Sequence, residues 1–309
     1  MKALALIPAE PQAVLRAEAD LPGLPAVLLG VAVRDGAVRS QLKLAFADAL
    51  PAKLPAWERP AMILDPLAQF TAARGFAPWL GAVPWLKDLA GDDLPSQLFV
   101  WTRNGTNSVD KMQTYVAARV AQPEAWVDRA VAKLQPLYAT DGTGPRLAGR
   151  LTTDPERHAA MIHDLIIPPR LAPIRDTGRS YLLLGLMPPA RSGSELPPGL
   201  IAQIDRPDLL LYDWEITADN MAHWNIVGQA ADLLRHRLLS DRRPGARWLT
   251  AATARMGESV TEAVITGPKE LTVKRKSAAG FTALELTLFS RWLDGEAPLR
   301  AKAAKPAAK

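Results

Sequence analysis

The sequence predicts an α+β fold in which an antiparallel sheet, or sheets, is built from β-hairpins and helices pack on one face. Three observations carry this expectation. Extended apolar-rich runs come in pairs around tight-turn residues, most clearly Ala26 to Arg34 and Ala37 to Ala47 about Asp35-Gly36. Helical periodicity follows such pairs, and a helix placed after a hairpin can lie on one face of the sheet. No Gly-rich strand-to-helix fingerprint is present, which disfavours a doubly wound parallel sheet.

Taken in order, Asp35-Gly36 demands a turn with both residues at positive φ, so residues 26 to 47 should be a hairpin. Ser96 to Thr102 and Met112 to Ala121 form a second pair around Arg103 to Ser108, and Pro123-Glu124 opens a helix to about Leu137, with Pro in its first turn. Leu200 to Asp205 and Asp208 to Ile216 are read as a third pair, followed by a helix from Ala218 to about Leu239 behind Thr217. Glu258 to Thr266 and Glu270 to Ser277 flank Gly267-Pro268-Lys269, and a helix runs from about Thr282 to Leu293. The spacing of these units is irregular, so no repeat of fixed period is implied.

Proline-rich breaks set the organisation. Thr140 to Pro155 and Pro188 to Gly199 are the best linker candidates. The chain therefore divides near residue 150 into a hairpin-plus-helix N-terminal half, 1–150, and a similar C-terminal half, 151–300. Residues 301–309, Ala-Lys-Ala-Ala-Lys-Pro-Ala-Ala-Lys, have no large apolar side chain and are expected to be a disordered basic tail.

The 309 residues are 48% hydrophobic and 22% charged, enough apolar content for packed cores. Zero cysteines exclude disulfides, thiol nucleophiles and thiolate metal sites. The net charge of +5 falls to +2 without Lys302, Lys305 and Lys309, and a body so near neutrality predicts no special attraction to nucleic acid or membrane. No apolar run reaches the ~20 residues that cross a bilayer, and no export signal is read at Met1 to Pro8. A cytoplasmic location is the expectation on that ground.

The run Gly178 to Gly185, Glu195-Leu196-Pro197-Pro198, Leu211-Tyr212-Asp213-Trp214-Glu215-Ile216-Thr217 and Gly267-Pro268-Lys269-Glu270-Leu271-Thr272-Val273-Lys274-Arg275-Lys276-Ser277 resemble a bacterial family with no assigned activity. The resemblance covers roughly residues 95 to 295. It implies no catalytic residue and no cofactor. Because members of that family sit at the envelope behind an N-terminal anchor, it implies the bacterial envelope or periplasm as the alternative location.

The sharpest polar constellation is Asp213, Glu215, Asp219 and His223, where a strand hands over to a helix. By alternation Leu210, Tyr212, Trp214 and Ile216 share one sheet face, and Asp213 and Glu215 the other. Asp219 and His223 are one helical turn apart, beside a stripe of Trp224, Val227, Ala231, Leu234 and Leu238. Converging, the four would suit a divalent metal or a carboxylate acid–base pair. Otherwise they decorate a solvated sheet face and a helix start, with His223 at the rim of the core. His158 and His163 are read on a helix opened by Asp154-Pro155, about 140° apart around its axis, so they cannot ligate one metal together. Ser180, Ser192 and Ser194 lie in no nucleophile elbow, and Asp141-Gly142-Thr143-Gly144-Pro145 lacks a phosphate-reaching lysine.

Arg235, Arg237, Arg242, Arg243, Arg247 and Arg255 form an anion-binding candidate or else a solvated helix end, and in one hairpin register Arg275 faces Glu262. Of nine tryptophans, Trp126, Trp224, Trp248 and Trp292 are expected in the core, and Trp79 and Trp85 too. These readings together favour a non-catalytic binding or assembly module. Its expected partner is a protein rather than nucleic acid, with no cofactor and its oligomeric state open. An enzyme using the acid cluster is the alternative, and polyanion binding the third. An enzyme should show a concave site where the acids meet an apolar wall, whereas an assembly module should show a flat apolar patch.

Overall fold

The computed structural model describes residues 13–17, 26–50, 54–81, 83–105, 113–138, 149–165, 168–176, 178–186, 193–234 and 244–294, with the backbone alone at 13–17 and 229–234. Asp35 and Gly36 take φ of 51° and 70°, the paired positive values of a tight hairpin turn. They join β2 (Ala26–Arg34) to β3 (Ala37–Ala45) in register from Ala26↔Ala45 to Arg34↔Ala37. The other strands are β1 (Ala13–Ala17), β4 (Leu67–Arg74), β5 (Gln97–Arg103), β6 (Thr114–Arg119), β7 (Arg150–Asp154), β8 (Ala159–His163), β9 (Arg170–Asp176), β10 (Arg179–Gly185), β11 (Leu209–Ile216), β12 (Glu258–Gly267) and β13 (Glu270–Ser277). Together they make one 13-stranded sheet in the order β1-β2-β3-β13-β12-β11-β4-β5-β6-β10-β9-β8-β7. Every neighbouring pair is antiparallel.

The helices are α1 (Ala77–Leu80), α2 (Pro84–Ala90), α3 (Pro123–Tyr138), α4 (Pro198–Ile204), α5 (Thr217–Leu234), α6 (Pro244–Thr253) and α7 (Ala283–Leu293). One face of the sheet carries the helix layer. At one end α2 and α3 pack Ala90 and Trp126 on Ala118 and Val120. At the other, α5, α6 and α7 join through Met221, Leu249, Ala283 and Leu286. The opposite face holds the largest core: Phe70, Phe99, Trp101, Tyr115 and Tyr181 are fully buried there beneath α4 and the segment 54–66. Phe70 and Phe99 each contribute about 1.5–3 kcal/mol on leaving water.

Segment 54–66 is a strap tied down by polar side chains that rise from the sheet. Buried Arg74 donates to the carbonyls of Leu209 (2.9 Å), Pro55 (2.5 Å), Arg206 (2.6 Å) and Pro207 (3.1 Å), with its guanidinium 4.3 Å over the Trp57 ring. Gln97 accepts from the Glu58 backbone N–H at 2.9 Å and donates to Ala56 O at 2.6 Å, while Tyr181 donates to Glu58 O at 2.9 Å.

Several expectations are corrected. Residues 198–204 are helix α4, not a strand, because Pro198 sits at a helical first turn. β11 consequently pairs with β4 and β12. His158 and His163 lie on the β7–β8 hairpin rather than a helix; His158 is in its turn at φ 46°, bonded to Asp128 at 3.1 Å. Arg150 to Asp154 is strand, not linker, and residues 140–148 of that linker lie outside the described residues. Arg275 faces Thr261, with Lys274 opposite Glu262, because a register shift between Ile265 and Gly267 displaces the hairpin by one residue. The tail at 301–309 lies outside the described residues.

Candidate functional site

The four acid-cluster residues sit on the helix-covered face, within a polar band that crosses the centre of the sheet. Strand register places Thr114, Thr102, Gln69, Glu215 and Ser259 side by side in one row. Thr71, Asp213, Thr261, Arg275 and Ser40 make the next. Glu215 is 1% exposed. It accepts from Asn220 Nδ2 at 2.6 Å, from the Ala283 backbone N–H at the start of α7 at 2.7 Å, and from Thr217 Oγ1 at 3.2 Å. Asp213 accepts from Thr71 Oγ1 at 2.6 Å and Gln69 Nε2 at 3.4 Å. Arg275 reaches up from the band to Glu285 of α7 at 2.6 and 3.1 Å.

The same-face placement of Asp213 and Glu215 is as alternation requires, but this face is roofed by α5 and α7 rather than solvated. Burial pushes the Glu215 and Asp213 carboxyls above their ordinary range, against the lowering effect of their hydrogen bonds. The other two residues turn elsewhere. Asp219 accepts from Asn104 at 3.2 Å, and His223, 1% exposed and not at a rim, shares a 2.8 Å hydrogen bond with Thr114 Oγ1. Among the described residues no three His, Asp or Glu side chains are grouped so as to hold a metal ion. Each of the four instead meets donors or acceptors of the protein itself.

A concave site lies on the other side of the sheet. A cavity of about 570 Å³ opens between the sheet and α4. Tyr212, Trp214 and Val260 form its floor, Leu200 of α4 its wall, and Arg39, Lys274 and Lys276 one end. Burial, then the nearby Glu262 and Asp213 charges, push the Tyr212 phenol up to about 12, so it stays neutral. None of Asp213, Glu215, Asp219 or His223 lines this cavity.

Against this geometry the comparisons with known proteins add little. No protein-family model matches the chain, and no curated protein matches it. Among solved structures it is similar to TP0453 in crystal form III (TM-score 0.34, 9% identity, 76% of this chain and 98% of that one) and form IV (0.34, 9%, 75% and 96%). Form I gives 0.33 at 8% identity, over 77% of this chain and 98% of that one.

The arginine cluster is only partly on view. Arg235, Arg237, Arg242 and Arg243 lie outside the described residues, while Arg247 and Arg255 are exposed at the two ends of α6. The tryptophans divide. Trp126 is core and donates Nε1–H to Asp93 O at 2.9 Å, and Trp224 packs against the α5–α7 cluster. Trp248 and Trp292, expected in the core, stand on the outer face of α6 and α7, with Trp292 60% exposed. Trp79 and Trp85 are likewise exposed, on α1 and α2. Around Trp292 the outer face of α7 bears Phe281, Leu284, Leu288, Phe289 and Leu293, all exposed. Phe289 stands 5.4 Å from the Trp248 ring and 5.6 Å from the Trp292 ring. Sequence reasoning missed both this face and the cavity. The available signal was the spacing 281, 284, 288, 292, an apolar stripe distinct from the Ala283, Leu286 stripe that is buried.

Proposed function

We propose that the chain is a non-catalytic binding or assembly module that docks a protein partner through the outer face of α6 and α7. The observation that carries this reading is the composition of that face. Every exposed position from Phe281 to Leu293 is a large apolar residue, while the polar Thr287 and Ser290 turn inward and bond to carbonyls of their own helix. A surface helix ordinarily does the reverse, and contiguous exposed apolar patches of this kind mark interaction surfaces. Interface cores favour aromatic residues, which Trp248, Phe289 and Trp292 supply. The state of the carboxylates supports a non-catalytic reading: those with raised proton affinity accept from protein donors under a helix roof, and neither lines the cavity beside α4. The family resemblance adds the bacterial envelope as the place of assembly. No helix among the described residues is long and apolar enough to cross a membrane.

A photo-crosslinking amino acid placed at Leu288 in the full chain, in the source cell, tests the reading. A discrete protein adduct is expected, with loss of that adduct when Trp292→Ser is added and no adduct from the same label at Val33 on β2. Lipid adducts alone, or equal labelling from both positions, would overturn it.

A further inference from the structure

We infer that the cavity between α4 and the sheet binds an amphiphile with one anionic head group, the head held by Arg39, Lys274 and Lys276 and the apolar body laid over Trp214. The size fits, since small-ligand sites run from roughly 300 to 1,000 Å³ and this one has about 570 Å³. The charge pattern supplies the chemistry. Arg39 and Lys276 are directly opposite across β3 and β13, and Lys274 shares their face. Like charges so placed repel and cost stability. Lys274 stands opposite Glu262 on β12, and the lining also holds Asp65 and Glu258, but among the described residues neither Lys274 nor Lys276 forms an ion pair with a carboxylate. The nearby Glu262 is taken by Arg206 at 3.0 Å. Among the described residues Arg39 pairs with Asp35 alone, at 3.5 Å, and its Nε is buried without a hydrogen-bond partner.

The order of the row then fixes the shape of the ligand. Arg39, Lys276, Val260 and Trp214 are consecutive register partners on β3, β13, β12 and β11. With strands about 4.8 Å apart, the path from Lys276 to Trp214 is roughly 10 Å, from a cationic end onto an apolar floor walled by Leu200. A free inorganic anion would leave that floor uncovered. A neutral chain would leave Arg39 and Lys276 facing one another.

The test is tryptophan quenching by 12-bromododecanoate, titrated below its micellar concentration into the full chain. Bromine quenches at short range, so saturable quenching is expected, and Trp214→Phe should remove most of it while calorimetry still shows binding. Lys274→Glu with Lys276→Glu should weaken affinity at least tenfold with the melting temperature unchanged or raised, since repulsion with Arg39 is relieved. The neutral 12-bromododecanol should bind at least tenfold more weakly. Leu288→Gln on the α7 face should leave the titration as it is. The inference fails if quenching does not saturate, if the alcohol matches the acid, if the lysine variants bind as the parent does, or if Leu288→Gln abolishes binding.

Discussion

Glu215 shows what a carboxylate costs beneath a helix layer. In the unfolded chain it titrates in the ordinary carboxylate range, whereas in the fold burial raises it, and Asp213 with it. Between those limits the native state holds more protons than the unfolded state. Stability therefore falls as pH rises from the ordinary carboxylate range through the raised folded-state values, and the loss is complete above them. Asp213→Asn with Glu215→Gln should flatten that slope, read as the urea midpoint from pH 4 to 8; an unchanged slope would place the effect elsewhere. The amide at 215 has a ready acceptor in Asn220 Oδ1, which is buried without a partner. Arg74 makes the complementary case: Arg74→Met leaves four strap and loop carbonyls without their donor and should cost about 2–4 kcal/mol in chemical denaturation, unlike a surface arginine. The pairing of Asp213 and Glu215 on one face was legible in the alternation of β11. What covers that face was not, because a polar stripe looks the same in sequence whether it meets water or the polar underside of α5 and α7.

At the scale of the element, α7 has apolar residues all round, and the choice of buried side is made by its neighbours. Thr282 and Glu285 form a capping box at its start, Glu285 also pairs with Arg275, and the Ala283 N–H bonds Glu215. Across the helix, α6 approaches so closely that a Cβ on Gly245 would lie 2.0 Å from Ser290 O, so only glycine fits. The Gly245 N–H also bonds Asp294 Oδ1 at 2.7 Å, putting a carboxylate at the positive end of α6. Leu286→Ala should therefore cost about 2–4 kcal/mol, whereas Leu288→Gln, about 200° round the helix on the exposed side, should change stability by less than about 0.5 kcal/mol. Comparable losses in a thermal or urea melt would mean that the outer face is covered within the monomer. The start of α7 was readable from Thr282-x-x-Glu285, but its orientation was not. Similarly, the apolar run of α4 is too short for periodicity to separate strand from helix, and only Pro197-Pro198 leaned toward the helix that forms.

For the whole molecule the hairpins β2–β3 and β12–β13 were plain in sequence, because turn chemistry is local. Their union into one sheet was not, since the pairs β3–β13, β4–β11 and β6–β10 join distant parts of the chain and no local pattern encodes a distant partner. Fragments cut at residue 145 should each be insoluble alone and recover a cooperative melt only when co-expressed; a soluble fragment melting cooperatively by itself would contradict the dependence of one half on the other. The strand order also sets a schedule. β3 ends at Ala45, and the strand that closes its outer edge, β13, begins at Glu270; at ~5–20 residues per second on the ribosome that edge stays open for roughly ten to forty seconds. During synthesis the β2–β3 hairpin is an unpaired template awaiting the last strand, so slow elongation late in the message should raise misassembly, and a holdase that shields bare strand edges should raise the yield of folded chain.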